Sequence, residues 1–168
     1  MEPNRIKVYI ASDHAGLTLK DEMKPFIEEL GYEVIDCGPT VLNTSDDYPD
    51  YVQIVARAVS EKNDSKKIRG IVIGGSGQGE AMSANRFPNV RCTLFYGPEP
   101  LMTASEVSDG LDIIRVSRDH NDANMLSLGA RFLTETVAKE AVRIWLGVPF
   151  SGDPRHVRRI NKIEQWQK

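Results

Sequence analysis

The sequence has little of several features that mark other classes of protein. Its 168 residues include two cysteines, Cys37 and Cys92, and neither belongs to a CxxC pair, so neither a disulfide framework nor a cysteine zinc site is expected. No hydrophobic run approaches the length needed to cross a bilayer. The formal net charge of −3 argues against a general nucleic-acid or membrane-surface binder. The first residues carry no signal-peptide core, and a cytoplasmic location is therefore expected.

What the chain does have is an alternation of strand-like and helix-like segments. The short apolar runs that predict strands cover residues 7–11, 32–37, 70–73, 90–95 and 125–128. Amphipathic stretches between them predict helices, so the fold class is α/β, with a doubly wound parallel sheet covered on both faces. The sequence contains no repeat or linker, and residues 1–168 are expected to form a single domain with a C-terminal helical tail.

One of the predicted helices opens at Asp47 and carries a well-defined apolar pattern. The residues expected on its buried face are Tyr51, Ile54, Val55, Ala58 and Val59.

The glycine-rich stretch GGSGQGEAMSANR, residues 74–86, follows the third predicted strand. It fails the dinucleotide fingerprint because the third glycine of G-x-G-x-x-G would fall on Glu80 or Met82, and it lacks the lysine of a P-loop. Backbone N–H groups of residues 75–79 can form an anion-binding nest. Glu80 beside that nest could remove a proton from carbon while the nest holds the oxyanion. Alternatively, Glu80 only favours the helix N-terminus electrostatically.

The three histidines, His14, His120 and His156, each lie among polar residues. They show neither the HxH nor the HxxxH spacing typical of metal ligands, so no metal site is expected.

The C-terminal tail carries a cationic pair. Asp153-Pro154 predicts a helix start, with Asp153 as the N-cap. Arg155 and Arg159 then lie one turn apart on one face, a spacing that suits a phosphomonoester, although a solvated basic helix has the same pattern. An apolar stripe predicts that this helix docks, on its own chain or across a subunit interface. The stripe consists of Val157, Ile160, Ile163 and Trp166.

Taken together, these motifs make the chain resemble the type B ribose-5-phosphate isomerases, the family that also contains galactose-6-phosphate isomerase subunits. The matching stretches are ASDHAG at 11–16, DYP at 47–49, residues 74–86, HNDAN at 120–124, LGAR at 128–131, and Arg155-His156-x-x-Arg159. The resemblance implies a Rossmann-like fold and interconversion of ribose 5-phosphate and ribulose 5-phosphate through a cis-enediolate, without a cofactor. It also implies a homodimer or a dimer of dimers, with sites shared between subunits.

The resemblance also implies roles for individual residues. Some members carry a cysteine base just before the loop, but Gly74 stands there, so this chain looks like the glutamate subtype and Cys92 is expected to face the core. The implied catalytic residues are Glu80 as proton shuttle, His120 as ring-opening acid, and Ser76 at the C1–C2 end of the sugar. The implied substrate-binding residues are Asp13, His14, Tyr48, Gly75, Gly77, Gln78, Gly79, Asn121, Arg131, Arg155 and Arg159.

One segment departs from the resemblance and leaves the substrate open. Residues 96–119, just before the expected acid, form a longer connection than the family leads us to expect. The alternatives are a hexose 6-phosphate of the allose or galactose type, or a non-catalytic module that binds a sugar phosphate or a nucleotide. The expected partner is a small sugar phosphate, with neither nucleic acid nor membrane.

Overall fold

The computed structural model describes residues 5–98 and 112–166. The strands are β1 (Lys7–Ser12), β2 (Glu33–Asp36), β3 (Ile68–Gly74), β4 (Cys92–Phe95) and β5 (Met125–Gly129). The helices are α1 (Leu17–Glu29), α2 (Tyr48–Lys62), α3 (Gln78–Ala84), α4 (Asp112–Asp119), α5 (Glu135–Gly147) and α6 (Pro154–Gln165). No helix in the described ranges is both long and apolar enough to span a membrane.

The five strands form one parallel sheet in the order β2-β1-β3-β5-β4. Alternate residues of β3 face opposite sides, and the central strand is buried throughout. On one face, α1 and α5 bury residues such as Ile27 and Trp145. On the other face, α2 buries Val55 and Val59. The prediction of a doubly wound α/β sheet is therefore confirmed.

Helix α2 buries Val55 and Val59 as predicted, but the rest of its buried face differs from the prediction. Val52 and Ala56 join the core, whereas Ile54 is 48% exposed. The buried set 52, 55, 56 and 59 follows the i, i+3, i+4, i+7 spacing of a single stripe, and Ile54 lies outside that stripe.

The sequence pattern predicts no helix within residues 96–119, but α4 occupies the end of this segment. Its Ile114 is fully buried beneath α5. Residues 99–111 of the same segment lie outside the described residues.

A buried lysine joins β2 to the end of β1. The Lys20 side chain is fully buried, and its Nζ donates hydrogen bonds to Asp36 Oδ1 and to the Pro39 carbonyl, both at 2.7 Å. The Gly38 N–H donates to the same carboxylate at 2.9 Å, and the Gly38 carbonyl accepts from Ser12 N–H at 3.0 Å. This network therefore holds the end of β1, from which the first site loop leaves.

The same network makes stability depend on pH. Burial opposes ionisation of Asp36, but hydrogen bonds from Lys20 and Lys24 outweigh it and lower the pKa of Asp36 to about 2. Because the folded pKa lies below the unfolded one, the contribution is complete above about pH 4 and is lost as pH falls toward 2. We expect about 1 kcal/mol at neutral pH, after allowance for solvent screening.

Urea unfolding of the wild type and of Asp36→Asn between pH 7 and pH 3 tests this. The difference in unfolding free energy between the two should shrink as pH falls, because the ionised Asp36 carboxylate loses its advantage. A difference for Asp36→Asn that stays constant over this range would contradict the account.

Candidate active site

The carboxyl ends of β1, β3 and β5 meet at one edge of the sheet, because Ile73 is in register with Ser12 and Leu128. Ligands of such sheets bind at this edge. The turns that leave it are tied together through the backbone: Ala130 N–H donates to the Gly74 carbonyl at 2.8 Å, and Arg131 N–H to the Gly75 carbonyl at 3.0 Å. The loop after β3 is therefore held against the loop after β5.

The glycine-rich loop turns sharply at Gly77, which has a φ of 74° and precedes the first residue of α3. A Cβ at this position would lie 2.7 Å from Leu94 Cδ1, so both the conformation and the space require glycine. The buried Ser127 hydroxyl donates to the Gly77 carbonyl at 2.7 Å, and Ser76 Oγ accepts from Gln78 N–H at 3.3 Å. These contacts fix the turn that carries the loop N–H groups.

Glu80 is buried beside this turn, with 4% of its surface exposed. Its carboxylate lies directly over the Cα of Gly74, where a Cβ would overlap the carboxylate atoms. Burial raises the pKa of Glu80, its own backbone N–H lowers it, and the negative charge of Asp13 raises it further. A carboxylate whose pKa is moved toward neutrality suits a general base. The Glu80 carboxylate therefore fills the space that a side chain at position 74 would occupy.

Asp13 and His14 follow β1 on the same edge. The Asp13 carboxylate is almost fully buried and accepts hydrogen bonds from the N–H groups of Ala15 at 2.9 Å and Gly16 at 3.1 Å. His14 Nδ1 lies 2.6 Å from Oδ1 of Asp46, a residue that the sequence analysis did not single out. Its only sequence signal is an acidic pair just before Tyr48-Pro49, and a pattern in one loop does not show which other loop it contacts.

Within the part of the chain that the structure describes, ligand atoms of Asp13, His14 and Asp46 lie within 4.8 Å of one another. This is the group with the geometry closest to a metal site. The 2.6 Å between His14 Nδ1 and Asp46 Oδ1 is nevertheless a hydrogen-bond distance. Two side-chain atoms that bind the same ion at about 2.1 Å lie roughly 3 Å or more apart. The distance between His14 and Asp46 therefore fits a direct hydrogen bond better than a shared ion.

Two further predicted residues, Tyr48 and Arg131, lie against the backbone of the glycine-rich loop. A Cβ on Gly79 would lie 2.5 Å from Tyr48 Oη, and a Cβ on Gly75 would lie 3.2 Å from Arg131 Cζ. The absence of side chains at these two glycines therefore lets the phenol and the guanidinium approach the loop backbone.

An open cavity of about 660 Å³ lies beside the glycine-rich loop and is lined by Ser76 and Gln78 together with Tyr96 and Phe132. The two aromatic rings meet edge to face with their centroids 6.3 Å apart. Neither aromatic residue was expected at the site. Tyr96 and Phe132 are 43% and 64% exposed, so they form an apolar rim on the cavity. The sequence alone does not distinguish such an exposed aromatic pair from a pair in the core.

The remaining predicted residues lie at the opposite edge of the sheet. His120 and Asn121 precede β5, whose four residue steps span about 13 Å before the loops described above begin. The ring of His156, in the first turn of α6, lies 4.2 Å from that of His120, centroid to centroid. Arg155 and Arg159 belong to the same helix and are exposed. One chain alone therefore does not bring these cations to Glu80.

A network of ion pairs holds the elements that carry this second group of residues. The Asp122 carboxylate binds Arg91 at 3.0 Å and Arg118 at 2.8 Å, and Arg91 also binds Glu164 of α6 at 2.7 Å. The predicted N-cap is present, since Asp153 Oδ1 accepts from Arg155 N–H at 2.9 Å. The arginines of α6 are thus presented outward from a fixed helix.

His156, in the first turn of α6, is itself buried. Burial, followed by the charges of His120 and Arg155, lowers the pKa of His156 and therefore favours the neutral form of its ring. Its Nδ1 lies 3.2 Å from Ser151 Oγ, whose hydroxyl donates to the Asp119 carbonyl at 2.7 Å. The fixed ring of His156 therefore packs against the ring of His120.

Cys92, expected to face the core, is half-buried and packs against the hydrophobic layer on the α2 side. Burial, followed by the negative charge of Glu80, raises the pKa of the Cys92 thiol. A thiol with a raised pKa is a poor nucleophile, so it offers no alternative base.

The structure thus defines an α/β protein with a buried carboxylate, Glu80, beside a tight turn of backbone N–H groups at the carboxyl ends of its strands. Comparison with known proteins places it more narrowly. The model of the Ribose/Galactose Isomerase family matches residues 8–163, and the chain belongs to that family.

The relatives agree with this assignment. Ribose-5-phosphate isomerase B of Mycolicibacterium paratuberculosis is 34% identical over 97% of this chain and 92% of its own length. Among solved structures, ribose-5-phosphate isomerase B of Mycoplasma genitalium with bound ribulose-5-phosphate has a TM-score of 0.84 at 34% identity, covering 96% of both chains. The Clostridium thermocellum ribose-5-phosphate isomerase B has a TM-score of 0.81 at 38% identity, covering 96% of this chain and 97% of its own. The predicted family and fold are confirmed, whereas the glutamate subtype stays a prediction.

Proposed function

We propose that this protein interconverts ribose 5-phosphate and ribulose 5-phosphate without a cofactor, with Glu80 as the base. The observation that carries the proposal is the burial of Glu80, whose carboxylate occupies the space over Gly74. An aldose–ketose isomerase must remove a proton from the carbon next to a carbonyl and return it to the neighbouring carbon. A buried carboxylate with a raised pKa is suited to both steps.

The loop and its neighbours supply the other requirements of this reaction. In the proposal, backbone N–H groups of residues 75–79 stabilise the cis-enediolate, since fixed donors aimed at a developing oxyanion stabilise it strongly. Asp13, His14 and Tyr48 orient the sugar, and Ser76 lies at the C1–C2 end. Arg131 binds a substrate oxygen beside Gly75.

The ring-opening acid and the phosphate site come from a second copy of the chain. His120, Asn121, Arg155 and Arg159 lie at the far edge of the sheet and cannot reach Glu80 of the same chain. A two-fold dimer places the amino edge of one copy beside the carboxyl edge of the other and completes two equivalent sites.

The outer face of α6 supports such an interface. Val157, Ile163 and Trp166 are 37%, 42% and 81% exposed, although they belong to the apolar stripe that predicted docking. Ile160 and Ile163 line a cavity of about 410 Å³ against β4, so the helix is only partly covered by its own chain. Contact with a second copy would remove this apolar surface from water.

The experiment is a panel of phosphorylated sugars assayed with the purified protein. We expect kcat/KM for ribose 5-phosphate to exceed that for allose 6-phosphate and galactose 6-phosphate by about 10–100-fold, because one extra carbon changes transition-state binding by about 1–3 kcal/mol. A preference for either hexose phosphate would assign the protein to the hexose branch. Binding of sugar phosphates without turnover would contradict the proposed activity.

A further inference from the structure

Among the described residues, the buried carboxylate of Asp46 makes hydrogen bonds to one residue, His14. The Asp46 side chain is 4% exposed. Oδ1 accepts from the His14 backbone N–H at 3.2 Å and lies 2.6 Å from His14 Nδ1. Within residues 5–98 and 112–166, the second oxygen, Oδ2, is buried without a hydrogen-bond partner.

Burial of a carboxylate with one unsatisfied oxygen is costly, so the position calls for a compensating role. The loop does not need this side chain to close. The Asp46 N–H already donates to the Asn43 carbonyl at 3.1 Å, and Ser45 N–H donates to Asn43 Oδ1 at 3.1 Å. What the carboxylate adds is a tie between this loop and the turn after β1.

The contact also determines which nitrogen of His14 carries a proton. Oδ1 already accepts from the His14 backbone N–H, so it is an acceptor in this arrangement, and Nδ1 must donate to it. The hydrogen bond at one ring nitrogen sets the state of the other. The ring is 28% exposed while its Nδ1 end contacts a buried group, which leaves the Nε2 side as the accessible one.

We propose that Asp46 is a positioning residue that fixes the Nδ1–H form of His14 and directs its Nε2 to the substrate. This inference rests on the proposed function, in which His14 contacts the sugar phosphate. Asp46 itself, with Oδ2 buried, acts through His14 and not on the substrate.

The first arm of the test does not depend on activity. ¹⁵N-edited NMR of the ligand-free protein, with His14 assigned through His14→Gln, is expected to show a proton on Nδ1. That proton signal should be lost in Asp46→Ala and retained in Asp46→Asn, because the amide oxygen can still accept. An Nε2–H ring with unprotonated Nδ1 in the wild type would overturn the proposal, whether or not the protein turns over ribose 5-phosphate.

The second arm measures the consequence for the substrate. Asp46→Ala is expected to raise KM for ribose 5-phosphate about tenfold, the effect of losing one charge-assisted hydrogen bond, with kcat changed less than about threefold. Asp46→Asn should stay within about threefold of wild-type KM. The double variant His14→Ala/Asp46→Ala should have the same KM for ribose 5-phosphate as His14→Ala alone, since both substitutions remove the same interaction.

Two results of this arm would overturn the proposal. The first is multiplication of the two single effects in the double variant, which would mean that Asp46 acts independently of His14. The second is equal KM values for Asp46→Ala and the wild type. Absence of any turnover in the wild type would instead refute the proposed function and leave the NMR result standing.

Discussion

Replacement of Glu80 by Gln is expected to lower kcat for ribose 5-phosphate isomerisation by about 10²–10⁴-fold, the usual contribution of a positioned general base. KM should remain within a few-fold of the wild-type value, because the amide keeps the size of the carboxylate and the phosphate contacts lie elsewhere. Steady-state kinetics on the purified variant measure both quantities.

Loss of the fold cannot account for such a result. A raised pKa means that the ionised Glu80 side chain destabilises the folded state at neutral pH, and this cost disappears as pH falls through the raised value. Glu80→Gln removes the ionisable group, so its melting temperature at pH 7 should equal or exceed that of the wild type.

The control for this variant is Glu61→Gln, at the exposed end of α2. It should keep wild-type kcat and KM. Near-normal kcat in Glu80→Gln would exclude Glu80 as the base.

The pH dependence of kcat should also report the ionisation of Glu80. Since the base must be ionised, wild-type kcat should fall on the acid side with an apparent pKa above the usual glutamate range.

A single methyl group at position 74 is expected to have a comparable effect. In Gly74→Ala the new Cβ would occupy the space of the Glu80 carboxylate and displace it. A misplacement of about 1 Å at a reacting group can cost about 10²-fold, and we expect kcat to fall by at least about that factor.

The fold of Gly74→Ala should survive, because the atoms in conflict belong to the end of a flexible side chain. The φ angle of Gly74 is not in the left-handed region, so alanine adds no backbone strain. Gly147→Ala is the matched control, since a Cβ there meets no atom within 4 Å. Full activity in Gly74→Ala would mean that the carboxylate does not work from the position over residue 74.

The fold was predictable because strand and helix periodicities differ. Buried strands such as β3 show up as unbroken apolar runs, and α6 was marked by Asp153 and Pro154. The face of α2 was not predictable in detail, because two overlapping apolar stripes exist in its sequence and only contact with β3 selects one. Helix α4 was missed because it is only eight residues long, which gives too few apolar positions to define a helical period.

The site was predictable in its parts more than in its arrangement. The glycine-rich loop and Glu80 are adjacent in sequence, so one pattern contains both. The separation of His120 from Glu80 follows from topology, because a residue before a parallel strand lies at the opposite edge from a residue after one. Asp46 could not be found from the sequence, since its role depends on a contact between two loops that are 32 residues apart.

The composite site is tested most directly by a heterodimer. One copy carries Glu80→Gln, the other carries His120→Asn, and the two are co-expressed with different tags and purified as the mixed dimer. A two-fold dimer then contains one site with both substitutions and one site with neither. We expect about half of wild-type kcat per dimer, although each variant homodimer should be nearly inactive. A mixed dimer no more active than its two parents would contradict it.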